Sequence, residues 1–295
     1  MTSVQVAPAL PRSANVRPEL YFVGSAVFHY LGPAFAVLLF ARVEPLGVAW
    51  LRIVTAAIVF AIWRRPWHAF RRADAQTKRL VASLGVVFAV MNSCFYVAID
   101  RLPLGTVAAI EFLPVIALAA VGAHSVRNLA ALALAVPGVY VLTDVQLEGD
   151  PLGVVFAFAN AALFALYIVL AHRISRNTHV DRIDALAMAM LIAMPAITLI
   201  GGWSAAAAWR DPVALAAGLG VGVASSVIPY VFDQLAMARL TRATYSLLVS
   251  LLPATATVIG VIVLAQVPTL VEVCGVVLVV GGVATHREGP RRLEA

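Results

Sequence analysis

The sequence consists of long apolar runs separated by short polar connectors. A helix needs about 20 mostly apolar residues to cross a hydrocarbon layer of roughly 30 Å. Ten runs approach or reach that length, and because most connectors are short we expect successive helices to be antiparallel neighbours. The predicted spans cover residues 20–39, 46–63, 80–99, 103–121, 128–144, 152–171, 184–203, 213–237, 243–265 and 269–286.

The residue pattern inside these runs favours helices over a closed barrel. Runs such as "GVVLVVGGVA" and "LAALALAVPGVYVL" show no alternation of apolar and polar residues, which a barrel strand would require. Composition agrees, because 62% of the residues are hydrophobic and only 12% are charged, against about 25% charged in soluble domains. The sequence therefore predicts an all-α integral membrane protein with ten transmembrane helices.

The distribution of basic residues predicts the orientation in the membrane. If the N-terminus is cytoplasmic, 17 of the 21 Lys and Arg residues fall in cytoplasmic segments. Three, Arg42, Arg101 and Arg210, fall outside, and Arg52 lies within a span. Lys and Arg are enriched in cytoplasmic loops, so we expect both termini in the cytoplasm. This explains the net charge of +6 better than binding to nucleic acid does.

Two stretches of the chain resemble each other at an offset of 138 residues: "AIDRLPLGTVAAIEFLPV" from Ala98 and "AMARLTRATYSLLVSLLPA" from Ala236. An odd number of helices per copy makes the second copy enter the membrane from the opposite side. Two inverted five-helix repeats are typical of secondary transporters. The predicted organisation is a cytoplasmic tail, two repeats and a second tail, at 1–19, 20–144, 152–287 and 288–295.

The stretches "MNSCFYVAIDRLPLGTVAAIEF", "ALFALYIVLAHR" and "SSVIPYVFDQLAMARLTRATYSLLVSLLPA" resemble the drug/metabolite transporter superfamily. The resemblance is to its EamA-like form, with five plus five helices, and within it to the branch that exports threonine and homoserine. It implies a multi-pass exporter of small amino acids or related metabolites in the bacterial inner membrane. It also implies exchange of the substrate for protons. A different small metabolite or drug remains an alternative substrate.

Ionisable residues inside the spans are the first candidates for a binding site, because a charge at the bilayer centre costs roughly 2.5–3.5 kcal/mol. Glu111 lies near the middle of the fourth span and is followed by Pro114, which removes a backbone donor. We expect Glu111 to bind a proton or a substrate ammonium group, although a structural hydrogen bond to another helix is the alternative. His29, in the first span, suits a proton-coupled step or simple packing.

Two further charges allow a structural interpretation. Arg52 is expected to pair with Asp100 at the outer end of the third span, and the alternative is that its planar guanidinium holds a substrate carboxylate. Asp233, near the inner end of the eighth span, is either a gate or proton stop or a partner of a loop arginine.

Polar residues without charge complete the candidate site. Asn92 and Tyr96 are four residues apart and share one helix face, and Tyr167 and Tyr230 lie in the sixth and eighth spans. We expect spans 1, 3, 4, 6, 8 and 9 to line a central cavity around which the two halves rock.

Several other functions lack sequence support. No glycine-rich phosphate loop precedes a Lys-Ser/Thr pair, and no metal-ligand spacing occurs, so neither ATP nor any cofactor or metal is expected. A membrane-embedded enzyme or a partner-binding subunit is the weaker alternative to a transporter. The expected partners are a small molecule, protons and the lipid bilayer. The sequence leaves a monomer and a homodimer equally open.

Overall fold

The computed structural model describes residues 18–122, 126–147, 150–175, 181–237, 248 and 251–285, and every regular element in these residues is helical. The α-helices are α1 Pro18–Leu39, α2 Pro45–Arg64, α3 Trp67–Arg72, α4 Ala75–Arg101, α5 Leu104–Gly122, α6 Val126–Leu147, α7 Pro151–Ser175, α8 Arg182–Gly201, α9 Pro212–Gly222, α10 Ile228–Met237, α11 Leu252–Leu264 and α12 Leu270–Thr285. A 3₁₀ helix, Ser204–Arg210, precedes α9, and a π-helical segment, Val223–Val227, joins α9 to α10.

Helices occupy all ten positions at which the sequence predicts spans. Six segments of the described chain are long and apolar enough to cross a membrane: α1, α2, α4, α7, α8 and the continuous run from α9 into α10. Four further apolar helices, α5, α6, α11 and α12, lie at the other predicted positions. The first part of the predicted ninth span, before Leu251, lies outside the described residues apart from Leu248.

The outer surface of the helical bundle is apolar. Large side chains such as Leu199, Ile262 and Val277 point away from the protein, and Leu199 is 91% exposed. Soluble monomers rarely expose contiguous apolar patches of more than a few hundred Å², whereas hydrocarbon solvates such a surface without cost. This surface therefore fits a lipid environment.

Polar side chains set the ends of several helices. Asp74 caps α4 by accepting from the backbone N–H of Thr77 at 3.1 Å, and Asp211 caps α9 by accepting from Val213 and Ala214. Proline at the first helical turn, as at Pro45 and Pro212, costs no hydrogen bond because that turn has no intrahelical acceptor for its N–H groups. Water-exposed caps of this kind hold the loops at the ends of the spans.

Close contact between α6 and α12 depends on glycine, as is common between helices in membranes. A Cβ atom at Gly138 would lie 2.8 Å from the carbonyl oxygen of Gly275 and 2.9 Å from Cβ of Leu278. The two backbones therefore meet where neither helix presents a side chain.

The contact predicts that Gly138→Val destabilises the protein by about 1–3 kcal/mol, the usual cost of overpacking. Gly220→Val is the matched control, because a Cβ at Gly220 has no atom within 4 Å. Thermal unfolding of the purified proteins in the same detergent measures the difference. Equal losses in the two variants would contradict a backbone contact at Gly138.

Ion pairs join the connectors at both ends of the bundle. At one end Arg42 contacts Asp211 at 2.7 Å and Arg101 contacts Asp150 at 3.1 Å. At the other end Arg64 donates to Asp184 at 2.8 Å and to Asp181 at 3.2 Å. Each pair links a residue before position 102 to one after position 149, so these contacts tie the two halves of the chain together.

The pair at Asp211 predicts a pH-dependent stability. The hydrogen bond from Arg42, with those from Ala214 and Val213, holds the pKa of Asp211 below its usual range. A carboxylate with a depressed folded-state pKa stabilises the fold above its unfolded-state pKa of about 3.9 and loses that effect as the pH falls through the folded-state value. Asp211→Ala should therefore lower the melting temperature at pH 7 and lower it by less at pH 3. An equal decrease at both pH values would contradict this.

Candidate functional site

A cavity of about 460 Å³ lies inside the bundle, between helices from both halves of the chain. This volume is within the usual range for small-molecule sites. All six spans expected to line a cavity contribute side chains, and the second span adds Arg52. The lining residues are Phe22, Ser25, His29, Tyr30, Pro33, Arg52, Met91, Asn92, Phe95, Glu111, Phe112, Asn160, Phe164, Tyr167, Ile168, Ala171, Tyr230 and Leu252.

Glu111 is a buried carboxylate on the cavity wall, with 8% of its surface exposed. Its Oε1 atom accepts a hydrogen bond from Nδ2 of Asn160 on α7 at 3.2 Å. Pro114 has no N–H, so the carbonyl of Ile110 lacks its helical donor one turn before the proline. The carboxylate therefore stands beside a locally weakened stretch of α5, and its hydrogen bond comes from the other half of the chain.

Arg52 lies on α2, is 8% exposed and also faces the cavity. Its Nε atom donates to Oγ of Ser226 and its Nη2 atom donates to the carbonyl of Ser225, both at 3.1 Å. The expected pair with Asp100 is wrong, because Asp100 is exposed at the end of α4 and the guanidinium turns inward instead. Ser225 and Ser226 are 173 and 174 residues from Arg52 along the chain. The sequence alone could not show that they contact the guanidinium.

The π-helical segment Val223–Val227 provides the acceptor for Arg52. In a π turn the backbone bond runs to the fifth residue, as from the N–H of Ile228 to the carbonyl of Val223, and such bulges are frequent at functional sites. Gly32 on α1 permits close approach here, since a Cβ at this position would lie 2.8 Å from Cα of Ser225. This irregular segment is therefore held by α1 and α2 together.

His29 lines the cavity one residue before Tyr30, and their rings meet edge to face at 5.3 Å. Arg52 and Glu111 line the same cavity as His29. The three ionisable candidates of the first half therefore share one cavity. Ser25, one turn earlier on α1, donates to the carbonyl of Pro229 at 3.2 Å and joins α1 to α10.

The uncharged candidates divide into two groups. Asn92, Tyr167 and Tyr230 line the cavity, and the Asn92 amide also donates to the carbonyl of Phe88 on its own helix at 2.8 Å. Tyr96 is not a lining residue, because it packs beneath Arg52 with the guanidinium carbon 5.6 Å from its ring centroid.

Asp233, the remaining candidate, lies on α10. Its side chain is outside the described part of the structure, and so are Arg239 and Arg242, the loop arginines considered as its partners. Its role as a gate or as a member of an ion pair therefore stays a prediction.

Sequence reasoning missed three buried polar residues of the cavity, Ser25, Asn160 and Tyr30. Asn160 is fully buried in the middle of the apolar run "FAFANAALFAL". A polar residue inside a span generally faces the protein interior, so its position was an available signal. Tyr30 carried no such signal, because tyrosines in apolar helices often only pack.

The structure thus defines a class: a helical membrane protein with a polar, charge-bearing cavity between its two halves, as solute transporters have. Comparison with known proteins agrees. Residues 151–285 match the EamA-like transporter family. The predicted resemblance to EamA-like transporters of the drug/metabolite superfamily is confirmed.

Two similar proteins are bacterial. The chain is 29% identical over 269 residues to the threonine/homoserine exporter RhtA of Salmonella typhimurium strain LT2. The aligned region covers 88% of this chain and 89% of that protein. The chain is also 29% identical over 245 residues to the threonine/homoserine exporter RhtA of Escherichia coli K12, covering 82% and 81% respectively. These similarities support a transmembrane transporter of the EamA type.

Proposed function

We propose that this protein is a secondary active exporter of small amino acids of the threonine or homoserine kind, driven by proton antiport. The observation that carries the proposal is the charge pattern of the cavity. Arg52 and Glu111 place one cation and one anion on the wall of the same buried space. An α-amino acid carries the complementary pair, a carboxylate and an ammonium group, at fixed separation.

The energetic argument favours a zwitterionic ligand over a neutral or singly charged one. Burying a charge is costly unless it is paired and hydrogen-bonded. Arg52 donates only to a hydroxyl and a carbonyl, and Glu111 accepts only from an amide among the described residues. A ligand that brings one charge of each sign compensates both groups, and charge-assisted hydrogen bonds are the stronger kind.

The proposed architecture is ten transmembrane helices arranged as two inverted repeats, residues 20–144 and 152–287. The contacts between helices support it. If each span is replaced by its equivalent in the other repeat, five positions along, the pairs of helices in contact stay the same. The third span (α4) packs on the sixth (α7) as the first (α1) packs on the eighth (α9 and α10). The second and seventh spans (α2, α8), and the fifth and tenth (α6, α12), pair with each other.

The proposed orientation places both termini in the cytoplasm of a bacterium, with the chain in its inner membrane. The excess of Lys and Arg in the assigned cytoplasmic segments supports it. Two of the three arginines assigned to the outside, Arg42 and Arg101, form ion pairs with aspartates, which reduces the positive charge on that face.

The proposed mechanism is alternating access with competition at Glu111. A carboxylate binds either a proton or an ammonium group, and one excludes the other. Protonation from outside releases the amino acid there, and deprotonation inside prepares the site for the next molecule. The two halves rock around the cavity. During this motion Arg52 keeps its contact with the substrate carboxylate, and α2 keeps its contact with the π-helical segment.

Reconstitution in liposomes tests the proposal. A pH gradient imposed across the membrane should drive accumulation of radiolabelled L-threonine or L-homoserine against its own gradient, and dissipating the gradient with a protonophore should abolish accumulation. A panel of other amino acids and small metabolites identifies the preferred substrate. A protein that moves none of the amino acids under any pH gradient would refute the proposal, and so would a transport rate that is flat between pH 5 and pH 8.

A further inference from the structure

We infer that Asn160 and Tyr30, together with Glu111, form a three-acceptor cradle for a primary ammonium group. The inference rests on the proposed function, because it assigns the end of the cavity that receives the substrate's amino group. Neither Asn160 nor Tyr30 was among the site residues predicted from the sequence.

The first observation concerns the amide of Asn160, whose side chain is fully buried on α7. Its Nδ2 atom donates to Glu111, but its carbonyl oxygen Oδ1 has no hydrogen-bond partner in the described part of the chain. Buried side-chain polar atoms are nearly always paired, and leaving one unpaired costs about 1–3 kcal/mol. An N–H donor of a bound ligand would pair with this free acceptor, which lies next to a carboxylate on the cavity wall.

The second observation concerns Tyr30 on α1. The side chain is 1% exposed, lines the same cavity, and its hydroxyl has no hydrogen-bond partner among the residues that the structure describes. Glu111 lines the same cavity. Two unpaired buried oxygens, from Tyr30 and Asn160, therefore belong to the cavity that Glu111 lines.

These three oxygens match the donors of a primary ammonium group in number. Such a group carries three N–H donors, and the cradle offers Oε2 of Glu111, Oδ1 of Asn160 and the hydroxyl oxygen of Tyr30. Phe112 and Phe164 also line the cavity, and their rings pack edge to face with the centroids 6.4 Å apart. A ligand with fewer N–H groups leaves at least one of these oxygens unpaired.

The competing interpretation is that Asn160 only orients Glu111 through its donor and that Tyr30 only packs. Both interpretations predict weaker binding when Asn160 is replaced. They differ in what they predict for N-methylation of the ligand, because only in the cradle does the binding affinity depend on the number of N–H groups. The experiment therefore compares ligands as well as variants.

The experiment measures binding to the full-length purified protein by calorimetry, with four ligands. The reference is L-threonine. N-methyl-L-threonine lacks one N–H, 1-amino-2-propanol lacks the carboxylate, and 3-hydroxybutyrate lacks the ammonium group. Wild-type protein should bind N-methyl-L-threonine roughly tenfold or more weakly than L-threonine, the effect of one lost charge-assisted hydrogen bond. Binding of 3-hydroxybutyrate should be weaker still.

The variants are Asn160→Leu and Tyr30→Phe, the second of which removes a single oxygen and leaves the packing intact. Each should weaken binding of L-threonine by roughly tenfold and reduce the N-methyl penalty to a small factor, because the two remaining acceptors are satisfied by two N–H groups, which both ligands have. Ser93→Ala is the matched control, since its buried hydroxyl donates to the carbonyl of Ala89 at 2.8 Å and does not line the cavity. It should keep the wild-type penalty.

The outcomes separate this inference from the proposed function. If L-threonine binds but both variants keep the full N-methyl penalty, the cradle is refuted and the exporter proposal stands. If 1-amino-2-propanol binds while L-threonine does not, the N-methyl derivative of 1-amino-2-propanol takes the place of N-methyl-L-threonine. An N-methyl penalty that the variants remove then supports the cradle, while the amino acid proposal fails. A wild-type protein that binds no primary amine, or binds the N-methyl form equally well, overturns the cradle.

Discussion

Replacing Glu111 by glutamine is expected to abolish transport driven by a pH gradient. The carboxylate lines the cavity and accepts a hydrogen bond from Asn160, and glutamine keeps a similar shape without a titrating group. L-threonine should bind roughly tenfold or more weakly, because a charge-assisted hydrogen bond becomes a neutral one. Uptake into liposomes with and without a pH gradient measures the loss.

The controls for this prediction separate charge from packing. Glu111→Asp retains the charge and should retain part of the pH dependence. Glu272→Gln alters the other buried carboxylate among the described residues, which caps α12 by accepting from the backbone N–H of Thr269 at 2.7 Å. That variant should transport like the wild type. Unchanged proton-driven uptake in Glu111→Gln would show that Glu111 is a structural carboxylate.

Arg52→Lys is the substitution with the second large expected effect. The guanidinium uses Nε and Nη2 for Ser226 and Ser225, which leaves Nη1 to reach a ligand. A lysine ammonium lacks this fork and is a compact point charge. It therefore cannot hold the π-helical segment and a substrate carboxylate at the same time. Binding of L-threonine should fall roughly 10- to 100-fold, the range for a lost charged hydrogen bond.

The ligand series decides what Arg52 recognises. If it binds the carboxylate, Arg52→Lys weakens L-threonine strongly and 1-amino-2-propanol little. Arg64→Lys is the control, because Arg64 pairs with Asp181 and Asp184 and lies away from the cavity lining. Equal losses for both ligands in Arg52→Lys would mean that the residue only supports the packing of α2 on the π-helical segment.

Much of the fold was predictable because hydrocarbon imposes a simple rule on the chain. Residues 46–63 were predicted as a span, and α2 runs from Pro45 to Arg64. The errors fall at the water-exposed ends, where hydropathy carries no signal. Helix α4 begins at Ala75 instead of near residue 80, because Asp74 caps a polar first turn that lies outside the apolar run. The π-helical segment was also missed, since its residues are as apolar and helical as their neighbours.

The candidate site was predictable only in part. The cost of a charge in lipid singled out Glu111 and Arg52, and the structure places both on one cavity. The same cost does not say which group a charge meets. Asp100 is near Arg52 in the predicted topology and was the natural partner, yet the guanidinium donates to Ser225 and Ser226.

The sequence by itself determined which segments can lie in a bilayer, and that a carboxylate near the middle of one of them must face inward. Those conclusions depend on the local cost of transferring each residue into hydrocarbon. Only the tertiary structure decided the contacts, such as the one between Glu111 and Asn160, which are 49 residues apart. Such a pairing follows from how α5 and α7 pack, and packing depends on the shapes of many side chains together.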